Sequence, residues 1–100
     1  MDQEQVIQTL RKAMPDLVQR FPVSELSLFG SVARGDNGPG SDVDVLVRFM
    51  PGAKVTLFTL AGLLCHLEDC LGCTVDLVED SPNLRPAFRS KIDRDRRRVA

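Results

Sequence analysis

The sequence lacks an excess of charge of either sign, a long apolar run, and an even set of cysteines. With 13 Lys and Arg against 14 Asp and Glu the net charge is −1, so no global attraction to nucleic acid is built in, and none is expected as a partner. No stretch approaches the roughly 20 apolar residues needed to cross a bilayer, so no membrane partner is expected either. The opening Met1-Asp2-Gln3-Glu4 has neither a basic nor an apolar leader region, and a cytoplasmic location is the default expectation. The three cysteines, Cys65, Cys70 and Cys73, are odd in number and argue against a secreted disulfide framework. A zinc site with His66 fails on spacing: there are no paired two-residue hooks, and Cys65 and Cys70 fall in a helical pattern where free cysteine packs as a small hydrophobe. His66 is expected on a helix surface rather than as ligand or base. There is no internal repeat and no low-complexity segment.

What is present is an ordinary globular composition, 43% hydrophobic and 27% charged, in 100 residues. That length predicts a single domain over residues 1–100, with one core and no room for a separate acceptor-binding domain. Val6, Ile7, Leu10, Met14, Leu17, Val18 and Phe21 recur at helical spacing, with Pro15 expected to break or kink the helix after Met14. A strand is expected over Glu25–Phe29, a mobile loop over residues 35–40, and a second strand directly after it. Leu57, Leu60, Ala61, Leu64, Leu67 and Leu71 form a helical stripe stopped by Gly72. Residues Cys73–Glu79 read as a third strand, and a terminal helix is expected from Pro86. The order describes an α/β (α+β) protein, a small sheet flanked by helices.

The chemistry concentrates in two places. Leu28-Phe29-Gly30-Ser31-Val32-Ala33-Arg34-Gly35 runs from strand into turn, where Ser31 and the first amides of a helix can hold phosphate. Arg34 can neutralise phosphate charge or pair with a nearby acid such as Asp36, and the sequence leaves both open. Downstream, Ser41-Asp42-Val43-Asp44-Val45-Leu46-Val47 puts Asp42 and Asp44 on one side of a strand. A solvent-facing strand side would account for the alternation, but not for the return to Leu46 or for Asp76 inside the apolar strand Val75-Asp76-Leu77-Val78. A shared cation satisfies all three acids. An EF-hand is excluded because Leu46 takes the third ligand position. Magnesium fits, as two ions about 3.5–4 Å apart that clamp an in-line displacement at phosphorus. Asp76 is then the candidate general base.

These motifs, in this order, closely resemble those of the minimal nucleotidyltransferase (MNT) family within the DNA polymerase β-like nucleotidyltransferase superfamily, over nearly the whole chain. The resemblance implies a mixed sheet flanked by helices, with Gly30 and Ser31 binding nucleotide phosphates. It also implies that Asp42 and Asp44 hold Mg2+ and that Asp76 completes the catalytic triad. Members are often paired with a HEPN-domain toxin, to which the MNT antitoxin can transfer AMP from ATP onto a tyrosine.

The leading expectation is therefore a magnesium-dependent transfer of NMP, AMP from ATP first, to a hydroxyl of a partner protein. The alternatives are transfer to a small hydroxylated, aminoglycoside-like molecule, which needs a homo-oligomer or partner to complete the pocket, and an antitoxin that acts by binding alone. The segment from Arg85 to Arg98, seven basic residues against Asp93 and Asp95, reads as either a contact surface or a solvated helix whose positive end suits the helix dipole. Sequence does not fix the base, the acceptor, the number of NMP units or the oligomeric state.

Overall fold

A computed structural model of the chain describes residues 2–36, 38, 40 and 42–100. Helix α1 (Gln3–Arg20) begins where Asp2 accepts a hydrogen bond from the Gln5 amide while the Gln5 side chain accepts from the Asp2 amide. This satisfies two backbone donors at the helix start. Of the break or kink expected at Pro15 the break does not occur, and the helix runs through it. Val6, Ile7, Leu10 and Leu17 are buried on both sides of Pro15, and their shared packing holds the helix together. Pro15 and Arg11 are exposed, so the carbonyl that loses its partner faces solvent. Pro15→Ala should therefore restore one backbone hydrogen bond and stabilise the protein by about 1–2 kcal/mol, a rise of several degrees in thermal midpoint. An unchanged or lower midpoint would show that the proline is offset by its restriction of the unfolded chain.

Strand β1 (Val23–Phe29) passes into the short helix α2 (Gly30–Arg34), followed by β2 (Val43–Phe49). Helix α3 (Leu57–Leu71) starts with reciprocal Thr56 and Thr59 hydrogen bonds and ends at Gly72. Then come β3 (Val75–Glu79), two residues shorter than expected, helix α4 (Pro86–Asp95), and a two-residue strand β4 (Arg97–Arg98). Of the predicted loop and the residue after it, Asn37, Pro39 and Ser41 lie outside the described residues; Gly35, Asp36, Gly38 and Gly40 are in neither helix nor strand.

The sheet is mixed, in the order β3-β2-β1-β4, with β2 and β3 parallel and the other pairs antiparallel. Helix α3 provides the crossover that a parallel pair requires. Leu26, Leu28, Val43, Val45, Val47 and Val75 face α1 and α3 and form the main core with Leu10, Leu17, Leu63 and Leu67. On the other face Phe29 and Leu46 pack under Ile92 of α4, with Val78 and Leu84 beside them. The return to Leu46 is thereby explained: at Leu46 the side of β2 that carries Asp44 is covered by α4.

Of the two readings of the basic tail, a solvated helix does not hold over its whole length. Helix α4 stops at Asp95, and Arg97 and Arg98 pair with Leu28 and Ser27 along the edge of β1. Val99, 3% exposed, anchors this strand in the core, and its amide donates to the Leu26 carbonyl at 2.8 Å. His66 lies on the helix surface as expected, 3.4 Å from Asp16 and tilted against Phe21. The three cysteines are free. No helix among the described residues is long and apolar enough to cross a membrane.

Candidate active site

Strand pairing brings the acids together. Phe29 is opposite Asp44, and Asp44 is opposite Asp76, so one row crosses three strands at the same end of the sheet. At that end the chain leaves β1 through Gly30 with φ +74°. A Cβ on Gly30 would collide with Oδ2 of Asp44 and stand 3.0 Å from its Cγ. Glycine is thus required twice, by backbone conformation and by the carboxylate lying against it.

A cleft of about 340 Å³ opens here. Its sheet side is formed by Phe29, Gly30, Ser31, Arg34, Asp44 and Asp76, and its other wall by Phe88, Lys91, Ile92 and Asp95 of α4. Ser31 and Gly30 start α2, whose first turn has no side-chain cap, so helix geometry leaves their amides for an anion. A broader depression of about 510 Å³ follows the first turns of α1 between Asp2, Gln5 and Thr9. It is the outer surface of one helix with no converging groups, and the chemistry lies in the smaller cleft.

The Asp44 carboxyl is pushed above its ordinary pKa, first by burial and then by the charges of Asp76 and Asp42, while Arg34 pulls the other way. Asp76 is its cross-strand partner in the parallel register and lines the same cleft. Two carboxylates so placed need a shared proton or a cation between them, and hard oxygen donors facing one cleft fit a divalent metal. Asp42 stands apart: it is exposed, precedes β2 and is not part of the cleft wall. As the side chains stand, no group of three His, Cys, Asp or Glu among the described residues forms a ready metal cage. Asp44 and Asp76 are the assembled pair, and Asp42 reaches them by charge alone.

Arg34 adopts the pairing that the sequence left open. Its Nε donates to Asp36 at 3.1 Å and its Nη1 to Asp95 at 2.8 Å, which ties α2 to the end of α4. Phe88, Lys91 and Asp95 were not assigned to the site from sequence, where they read as part of a terminal helix and its basic stretch. The signal was present in their spacing, since residues 88, 91, 92 and 95 fall on one helical face.

With this geometry, comparison with known proteins is decisive. The chain matches the family described as Nucleotidyltransferase domain over residues 7–100. The protein is a member of that family. This nucleotidyltransferase is 39% identical over 78 residues to the protein adenylyltransferase MntA of Thermococcus cleftensis, covering 78% of this chain and 77% of that one. The solved structure of a candidate minimal nucleotidyltransferase is 37% identical, with a TM-score of 0.75 over 97% of this chain and 95% of the other. A tri-AMPylated HEPN toxin in complex with an MNT antitoxin, from Shewanella oneidensis, gives a TM-score of 0.67 at 17% identity, covering 98% of this chain and 71% of that one. At that identity the last likeness shows the fold alone. The mixed sheet and flanking helices of this nucleotidyltransferase match the minimal nucleotidyltransferase fold.

Proposed function

We propose that residues 1–100 form one minimal nucleotidyltransferase domain that transfers AMP from ATP to a hydroxyl of a partner protein, as the antitoxin of a HEPN/MNT pair. The observation that carries this is the in-register pair Asp44 and Asp76 in one cleft with the Gly30-Ser31 turn. The MntA relative, named a protein adenylyltransferase, supports AMP as the transferred group and protein as the acceptor. The HEPN complex shares only the fold and supports the pairing by analogy.

In this reading Gly30 and Ser31 hold the triphosphate on the sheet side, and Asp44 and Asp76 face the α-phosphorus. Asp42 joins them as the third acid. Asp42, Asp44 and Asp76 would hold magnesium, as two ions, which would supply the positive charge that the triphosphate and the attacking hydroxyl require. Asp76, exposed at the cleft, is placed to take the hydroxyl proton. Arg34 reaches phosphate only by releasing Asp36 or Asp95, so its first role is to fix α2 against α4. A small-molecule acceptor is the weaker reading, because the cleft has two walls and leaves the acceptor side to another molecule. Binding without catalysis is also weakened, because much of the basic tail is engaged internally: Arg89 and Arg96 pair with Asp80 and Glu25.

The test is incubation with α-labelled ATP, magnesium and the product of the neighbouring gene, the expected HEPN-domain partner, read by intact mass. Addition of AMP is expected, and Asp44→Asn should reduce it by about 10²-fold or more. Because Asp44 is crowded by like charge, the same variant should melt no lower than the wild type. Transfer that persists in Asp44→Asn, or no transfer by the wild type, defeats the proposal.

A further inference from the structure

The cations around the site are unequal. Arg34 is engaged by Asp36 and Asp95. Arg48, Arg89 and Arg96 are engaged by Glu25 and Asp80 on the same sheet face, away from the cleft. Lys91 lines the cleft on α4, and its ammonium has no ion pair or side-chain hydrogen bond among the described residues. Asp95 stands one turn further along α4, at the i+4 spacing that would suit Lys91. Its carboxylate goes to Arg34 instead.

An exposed ammonium needs no partner in water. This one is set on the wall opposite the Gly30-Ser31 turn and Asp44, in a cleft that also holds Asp76 and Asp95. A triphosphate brings about four negative charges into this acid-lined space, and charge-assisted hydrogen bonds to its oxygens are the strong kind. The two acids face the phosphorus under attack and the Gly30-Ser31 turn holds the triphosphate from the sheet side, so a contact to the far phosphates from the other side falls to the α4 wall. Lysine suits that role, as a flexible point charge able to follow a departing group.

We infer that Lys91 binds the β- and γ-phosphates of the nucleotide and stabilises the leaving pyrophosphate. This rests on the reading of the cleft as a nucleotidyl-transfer site. In the step itself the acceptor oxygen bonds to the α-phosphorus, the bond from that phosphorus to the α,β-bridging oxygen breaks, and the electron pair departs with pyrophosphate. Lys91 stays protonated throughout and offsets the charge gathering on the bridging oxygen.

Calorimetric titration of wild type, Lys91→Met and Lys91→Arg with ATP and with AMP, in magnesium, separates the possibilities. Loss of one charge-assisted contact should weaken ATP binding by Lys91→Met about tenfold or more while leaving AMP binding within about twofold. Lys91→Arg should recover most of the affinity for ATP. Melting temperatures should stay unchanged, since the side chain is exposed. The inference is overturned if Lys91→Met binds ATP as the wild type does, or loses ATP and AMP equally. A wild type that binds ATP under those outcomes leaves the transfer reading standing. A wild type that binds neither nucleotide removes both.

Discussion

Gly30→Ala is expected to fold and to lose nucleotidyl transfer by about 10²-fold, the usual scale for an ångström-sized misplacement of a reacting group. Two costs are separable. The first is conformational: a residue with a side chain at φ +74° is disfavoured by about 1–2 kcal/mol, or about 5–15 °C in a domain of this size. The second is steric. The new Cβ would occupy the space of Asp44 Oδ2, and the carboxylate, as the end of a short side chain, must swing away. Gly35→Ala is the control. Gly35 has φ +80° but nothing within 4 Å of an added Cβ, so it should show a similar drop in melting temperature and near-normal transfer. Equal activity in the two variants would mean that the position of Asp44 does not govern the reaction.

Much of this arrangement was legible in the sequence for identifiable reasons. Alternation along Val43–Val47 put Asp44 opposite the valines, and the three-residue row Phe29, Asp44, Asp76 follows once the strands align. Helix α3 announced itself through its leucine stripe and Gly72, and α4 through Pro86 in its first turn. What was not legible depended on distant contacts. Local rules placed a break or kink at Pro15, but buried residues on either side keep the helix continuous. Strand β4 is two residues long and carries no periodic signal; it exists because β1 offers an open edge and Val99 a core anchor. Arg34 was open to a phosphate or to a nearby acid such as Asp36, and only the fold brings up Asp95, 61 positions away. Asp42 and Asp44 were expected to act alike from their separation by one residue. The strand begins between them, so only Asp44 is held in register with Asp76.

Asp80 is where the largest effect on stability is expected. Its side chain is 5% exposed and contacts Arg89, Arg48 at 2.9 Å and Arg96 at 3.8 Å, while its amide donates to the Val47 carbonyl. One carboxylate thus ties the end of β3 to β2, to α4 and to the start of β4. Burial alone would raise its pKa, but hydrogen bonds from Arg89 and Arg48 outweigh that, and the group is held below its ordinary value of 3.8. A carboxyl with a lowered folded pKa contributes stability that is fully present above its unfolded pKa and is lost as pH falls through the folded one. Wild type should therefore lose this contribution only below about pH 4, whereas Asp80→Ala should lack it at every pH. Breaking a buried pair from one side costs about 3–5 kcal/mol; because Arg48 is half exposed and Arg89 about one-third exposed, their charges can rehydrate and about 2–3 kcal/mol is expected here. That corresponds to a fall of about 8–20 °C in melting temperature near pH 7, narrowing as the two proteins are compared at lower pH. Urea denaturation from pH 7 to 3 measures the difference directly. A gap that stays constant across that range would mean Asp80 acts by packing rather than by charge. Transfer activity at a temperature where both variants are folded should change little, because the network lies away from the Asp44–Asp76 row, on the same face of the sheet.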